Sequence, residues 1–95
     1  MPNDQLQKRS LRIAGHRTSL AIEPEFWVVL EELAKWKGKT MPVLLAEIDK
    51  QRAADNENAS LASAVRVACL KFAMSAPKGV SDKIYHKITD ASELN

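Results

Sequence analysis

The stretch HRTSLAIEPEFWVVLEELAKWKGKT, residues 16–40, changes its periodicity part-way along. From Arg17 onward Thr18, Leu20 and Ile22 fall on one side and Arg17, Ser19 and Ala21 on the other, which is the period of a half-buried strand. The parity is well specified, because a slip of one residue would bury Arg17 and expose Leu20 and Ile22. Pro24 then ends the ladder and suits the first turn of a helix, where its missing N–H is not needed. The spacing predicts a helix over Pro24–Lys37, with Phe26, Leu30 and Leu33 on its inner stripe, Trp27 and Ala34 broadening it, and Glu25, Glu31, Glu32 and Lys35 outward. Gly38 reads as the C-terminal stop and Thr40 as the N-cap of the next helix.

That second helix runs over about Met41–Ala54 and places Met41, Leu44, Leu45, Ile48 and Arg52 on one face. A polar break, ADNENAS, leads to LASAVRVACLKFAMSA, residues 61–76, capped by Asn58 or Ser60. Leu61, Val65, Ala68 and Phe72 form one apolar stripe of this third helix, and Val67, Leu70 and Met74 form another. A helix with two apolar stripes is expected between partners. Pro77 and Gly79 end it, leaving a tail over 77–95 with at most a weak helix around Ile84 and Ile88.

Upstream, MPNDQLQ is polar and expected to fray. KRSLRIAGHR reads either as a basic arm or as a short extension of the strand, with Gly15 breaking the run. The division is thus 1–15 as a basic arm, 16–54 as the core, 55–76 as an additional helix and 77–95 as a tail. On this reading the fold is mainly α with one short strand. A lone strand has two unpaired edges and needs a partner from outside the chain.

The 95 residues make one domain, and a chain of this size buries roughly 60–70% of its unfolded surface, so association helps it. The net charge of +2 is unevenly spread: residues 1–20 carry +3, residues 21–60 carry −3 and residues 61–95 carry +2. The excess of bases lies beside the strand, where a polyanion can meet it. Cys69 is the one cysteine, which excludes an internal disulfide and gives no metal-ligand pair. No apolar run approaches the ~20 residues of a membrane span, and no signal-peptide apolar region opens the chain. A soluble, cytoplasmic protein without membrane contact is expected.

Strand, Pro24, LEELA, Gly38 and Thr40, taken in that order, resemble the ribbon-helix-helix DNA-binding proteins of the Arc and MetJ kind over residues 17–54. The leader KRSLRIAGHRTS and the later LASAVRVACL resemble a short bacterial subgroup with an additional helix. The resemblance implies an intertwined homodimer in which two chains each give one strand to an antiparallel ribbon, over a shared core of Leu20, Ile22, Phe26, Leu30, Leu33, Leu44, Leu45 and Ile48. It also implies that the ribbon enters the major groove of double-stranded DNA, with Arg17, Ser19 and Ala21 facing the bases. Thr40 and Met41 then offer backbone N–H groups to a phosphate, although Pro42 removes a nearby amide. Lys8, Arg9, Arg12 and His16 are placed on phosphates.

Blander readings stand beside these. Arg17 is also what a solvated charge discouraging edge pairing looks like, and His16 what a polar surface residue looks like. Cys69 reads as a small core residue. Trp27 and Trp36 lie about 180° apart on an ideal helix. Trp27 therefore reads as core and Trp36, with Val29 partly beside it, as a contact under the third helix or at an oligomer interface together with Val67 and Leu70. Tetramers, larger assemblies or a bound partner protein follow from the extra apolar surface. Nothing marks a catalytic set, a metal site or a cofactor site. The function expected is a sequence-specific transcriptional regulator, a repressor by resemblance. An antitoxin-like regulator that captures a partner protein through its C-terminal part, and a structural oligomer that does not read DNA, are the alternatives.

Overall fold

A computed structural model describes residues 6–93. The expectations for residues 1–5 and for the last two residues lie outside the described ones. The described chain runs β1 (Gln7–Ile13), β2 (His16–Ile22), α1 (Pro24–Lys37), α2 (Met41–Asp55), α3 (Leu61–Ser75) and α4 (Lys78–Glu93). It is a two-stranded antiparallel ribbon followed by helices, the ribbon-helix-helix arrangement with an additional helix and then one more.

The strand has its partner within the chain. β1 pairs with β2 from Gln7 opposite Ile22 to Ile13 opposite His16, so residues 7–13 are the second strand and not an arm. The connection is the pair Ala14–Gly15, with φ of 51° and 84°. Two successive positive φ values are what a type I′ hairpin turn requires, and this turn matches the twist of the flanking strands. Gly15 therefore turns the ladder back on itself.

The inner face of the ribbon carries Leu11, Ile13, Thr18, Leu20 and Ile22, and Ile13, Leu20 and Ile22 are buried. Beneath it Trp27, Leu30, Leu33, Leu44 and Leu45 close the centre of the core. α1 ends as its sequence requires: Gly38 has φ 66°, its N–H donates to Lys35 O at 3.1 Å, and the Lys39 N–H donates to Ala34 O at 2.9 Å. These two bonds are the Schellman pattern. α2 starts on Thr40, whose Oγ1 accepts from the Val43 N–H at 3.4 Å.

α3 adds Val65, Cys69 and Phe72 to the same core. Of the residues assigned to a core shared between two chains, Leu20, Ile22, Leu30, Leu33, Leu44 and Leu45 are buried within one chain, and Phe26 and Ile48 are partly buried against them. α3 supplies from the same chain the apolar cover that the sequence reading assigned to a second copy. Arg66 ties it down, donating through Nε to Glu23 Oε1 at 2.9 Å. Arg52 fixes the α2–α3 loop by donating to the Glu57 and Ala59 carbonyls at 3.1 and 3.0 Å.

The tail is a helix. α4 buries Ile84 against α1 and half-buries Val80 and Ile88. Its position also corrects the placing of Glu32, which is 4% exposed and not outward. Lys87 and Lys83 reach Glu32 from α4 at 2.5 and 3.4 Å, and Lys35 reaches it from α1 at 3.5 Å. Val29 is likewise buried. Burial pushes the Glu32 carboxyl up, but the bonds from Lys87 and Lys83 outweigh it and hold the group below the ordinary carboxylate range.

The turn makes a test of the hairpin. Ala14→Asn, which tolerates positive φ better, should raise the melting temperature, whereas Gly15→Val should cost about 1–2 kcal/mol in denaturant unfolding.

Glu32 makes a second test. A carboxyl with a depressed folded-state pKa contributes fully above its unfolded value, roughly 4.3, and that contribution is lost as pH falls through the folded value. Glu32→Gln should therefore cost about 1–3 kcal/mol at neutral pH. The gap from the parent should narrow on acidification below about pH 4, as read by thermal melts in a pH series.

Candidate nucleic-acid interface

Antiparallel pairing puts cross-strand partners on one face. Lys8 lies opposite Ala21, Ser10 opposite Ser19 and Arg12 opposite Arg17. All six point away from the helices, and five of them are exposed while Ala21 is half-buried. Three cations, two hydroxyls and no acid thus share the outer face of the ribbon. The Ser10 and Ser19 hydroxyls are 3.4 Å apart at its middle. Arg12 Nη1 donates to Gly15 O at 3.2 Å, which folds its side chain toward the turn. Arg17 makes no side-chain hydrogen bond or ion pair among the described residues and keeps its full donor set.

The face brings together Arg17, Ser19 and Ala21, as the strand parity requires, and adds Lys8 and Arg12 beside them. Ser10 is the residue missed. Its signal was present in the alternation Lys8, Ser10, Arg12 against Leu11 and Ile13, followed by a two-residue gap before the next strand. His16 sits next to the turn, exposed, and by parity belongs to the opposite face from Arg17.

Arg9 is on the wrong side of the ribbon for a phosphate contact alongside Lys8. Its guanidinium lies 4.3 Å from the centroid of the Trp27 ring, and its Nη1 meets Glu31 Oε2 at 3.1 Å. Trp27 itself is 1% exposed, and its Nε1–H donates to the Gln7 carbonyl at 2.8 Å. Arg9 is thereby the lid over a buried indole that anchors β1 to α1.

At the turn end of the ribbon the start of α2 comes close. A hollow of about 410 Å³ lies between Arg12 and Ala14 on one side and Pro42, Val43, Ala46 and Lys50 on the other, with Glu47 at its border. Glu47 is itself paired with Lys39. Thr40 and Met41 open α2 at this end, Thr40 exposed and Met41 half-buried.

Trp36 is 57% exposed and borders a shallow hollow with Gly79, Val80 and Lys83. It lies beside α4, not under α3. Val67 and Leu70 are exposed on α3. Cys69 is buried, its thiol pushed up to about 12 by burial, which makes it an inert core residue rather than a nucleophile. No metal-holding cluster occurs among the described residues, and no described helix is long and apolar enough to cross a membrane.

A family model described as a ribbon-helix-helix domain matches residues 6–73. The chain belongs to the ribbon-helix-helix family. The match starts before β1 and ends within α3, so the first strand of the hairpin and the third helix are both parts of the matched domain. No curated protein and no solved structure matches the chain. Ribbon-helix-helix domains are in general DNA-binding, dimer-forming and non-enzymatic. The outer ribbon face described above is chemically suited to a polyanion.

Trp27 and Arg9 can be separated from that face by experiment. Arg9→Ala should lower stability by about 0.5–2 kcal/mol, the range of a cation–π contact. Trp27→Phe should lower it further by leaving the Gln7 carbonyl without its donor. Denaturant midpoints measure both, and an Arg9→Ala variant as stable as the parent would remove Arg9 from the anchor.

Proposed function

We propose that the chain is a sequence-specific DNA-binding transcriptional regulator, a repressor acting in the bacterial cytoplasm as a homodimer or higher oligomer, whose ribbon enters the major groove. The observation that carries this reading is the outer face of the hairpin: Lys8, Arg12 and Arg17 with Ser10 and Ser19, and no carboxylate among the cross-strand pairs. Arg17 bonds guanine O6 and N7 bidentately. Ser19 donates or accepts, and Ala21 touches a thymine methyl. Arg12, opposite Arg17, joins it at the base edges, and Lys8 at the far end of the ribbon meets a phosphate. Thr40 and Met41 at the start of α2 offer backbone donors to the phosphates flanking the groove. The protein has no catalytic task on this reading.

Base contacts and phosphate contacts differ in kind. Losing a bidentate arginine costs about 1–3 kcal/mol and relaxes preference at its base pair, whereas losing a phosphate contact weakens all sequences alike and flattens the salt slope by about one. Arg17→Ala should therefore reduce the ratio of specific to nonspecific affinity. Lys8→Ala should lower both affinities and leave the ratio nearly unchanged. Binding of each variant to a site selected from random DNA and to a scrambled site, at two salt concentrations, measures this. An Arg17→Ala variant that binds both DNAs as the parent does would show that the ribbon is not the reading surface.

A further inference from the structure

The hollow of about 410 Å³ at the turn end of the ribbon has two unlike walls. On α2 the wall is the stripe Pro42, Val43, Ala46, Glu47 and Lys50, whose spacing sets them on one helix face over about 12 Å. The other wall is Arg12 and Ala14. Arg12 also belongs to the outer face of the ribbon, opposite Arg17, so the hollow opens beside the doubly cationic end of that face. Val43 stays 49% exposed in it. Lys50 is exposed at the end of the stripe and makes no ion pair or side-chain hydrogen bond among the described residues.

The charges around this hollow favour an anion. α2 has no acid in its first turn, so nothing offsets the positive end of its dipole. The carboxylate on the border, Glu47, is bonded to Lys39, which holds it below the ordinary carboxylate range and neutralises its charge. Lys50 and Arg12 are then the uncompensated charges beside walls that are otherwise apolar. Backbone donors are few here: Pro42 carries no N–H, and that of Val43 donates to Thr40 Oγ1 at 3.4 Å. The full charge that holds an anion at this place has to come from a side chain.

We infer that the hollow seats one backbone phosphate of the bound DNA together with its deoxyribose, the Lys50 ammonium on the phosphate and Val43 and Ala46 against the sugar. This rests on the DNA reading of the proposed function and adds to it a contact on the body of α2, beyond the start of that helix. A phosphate fits better than a base edge. The ammonium is a point charge without the fork that reads guanine, and Ala14, Pro42, Val43 and Ala46 have no side-chain group with which to read a base. Lys50 thus supplies affinity that is blind to sequence, beside an Arg17 that supplies preference. The clamp belongs to the turn end alone. At the other end of the ribbon the neighbouring carboxylates Glu23 and Glu31 are paired with Arg66 and Arg9, and no free cation of α2 stands there.

The test is binding of the whole chain to a site selected from random DNA and to a scrambled duplex over a salt series, with melting curves to confirm that each variant is folded. Lys50→Ala should weaken both DNAs by the same factor, about three- to tenfold at low salt, and flatten the salt slope by about one. Lys50→Arg should keep the parent's slope. Glu47→Gln, which removes a negative charge from the border and releases Lys39, should tighten both complexes. Lys71→Ala removes the same charge from α3, off the ribbon and the hollow, and should leave the slope unchanged. A Lys50→Ala variant with the parent's slope, a Lys50→Arg variant as flat as Lys50→Ala, a Glu47→Gln variant that binds more weakly, or a Lys71→Ala variant that flattens the slope as much would each overturn the inference. The two failures are distinguishable: a parent that binds neither DNA at low salt overturns the DNA reading and this inference with it, whereas a parent that binds while Lys50→Ala binds equally well overturns this inference alone.

Discussion

The indole of Trp27 is the point from which the rest of the molecule is positioned. Its ring is enclosed, its one donor is spent on the backbone of β1 at Gln7, and Arg9 from the same strand lies across its face and reaches on to Glu31. An isolated two-stranded hairpin is marginal in water. Here the end of the ribbon opposite the turn is held through both strands: the start of β1 by this anchor on α1, and the end of β2 by its run through Glu23 into Pro24, with Glu23 bonded to Arg66 of α3. With the ribbon fixed this way round, Leu20 and Ile22 have to face the helices and Arg17 and Ser19 have to face outward.

The helices then divide the work of covering the core. α1 and α2 present Leu30, Leu33, Leu44 and Leu45, and α3 closes over them with Val65, Cys69 and Phe72. α4 is held in a different way. Its apolar side is short, centred on Ile84, and much of its attachment is ionic, through two lysines that converge on one buried carboxylate of α1. The burial of Glu32 is tolerable only because that ring of ammonium groups satisfies it, since an unpaired carboxylate at this depth would cost more than the contact returns.

Much of this was legible in the sequence because the determinants were local. The parity of Thr18, Leu20 and Ile22, the stop at Pro24, the left-handed cap at Gly38 and the capping Thr40 each act within a few residues, and helices α1, α2 and α3 follow from them. β1 was hidden because Arg9 occupies an inward position, where its stem covers an indole, so the apolar alternation by which strands are recognised is confined to Leu11 and Ile13. Its turn begins with Ala14 instead of the asparagine or aspartate that advertises a type I′ hairpin. α4 and the burial of Glu32 were hidden for another reason: the lysines that neutralise Glu32 lie far along the chain, and no local pattern links them. The outward set Arg17, Ser19 and Ala21 was readable from parity alone, whereas adding Ser10 and Arg12 to it required knowing that the second strand was β1.

The hairpin has one more geometric consequence. A ribbon formed by two copies of one strand has a two-fold axis through its centre, and whatever it touches is met by the same residues from both sides. The ribbon of this chain pairs Lys8 with Ala21 at one end and Arg12 with Arg17 at the other, so it has polarity: a weakly charged end, a hydroxyl middle and a doubly cationic end. Under the proposed function, the base pairs beneath a single ribbon therefore need not form a palindrome. Any dyad in the recognised sequence has to come from the spacing of two ribbons across a subunit interface, outside each ribbon's own footprint.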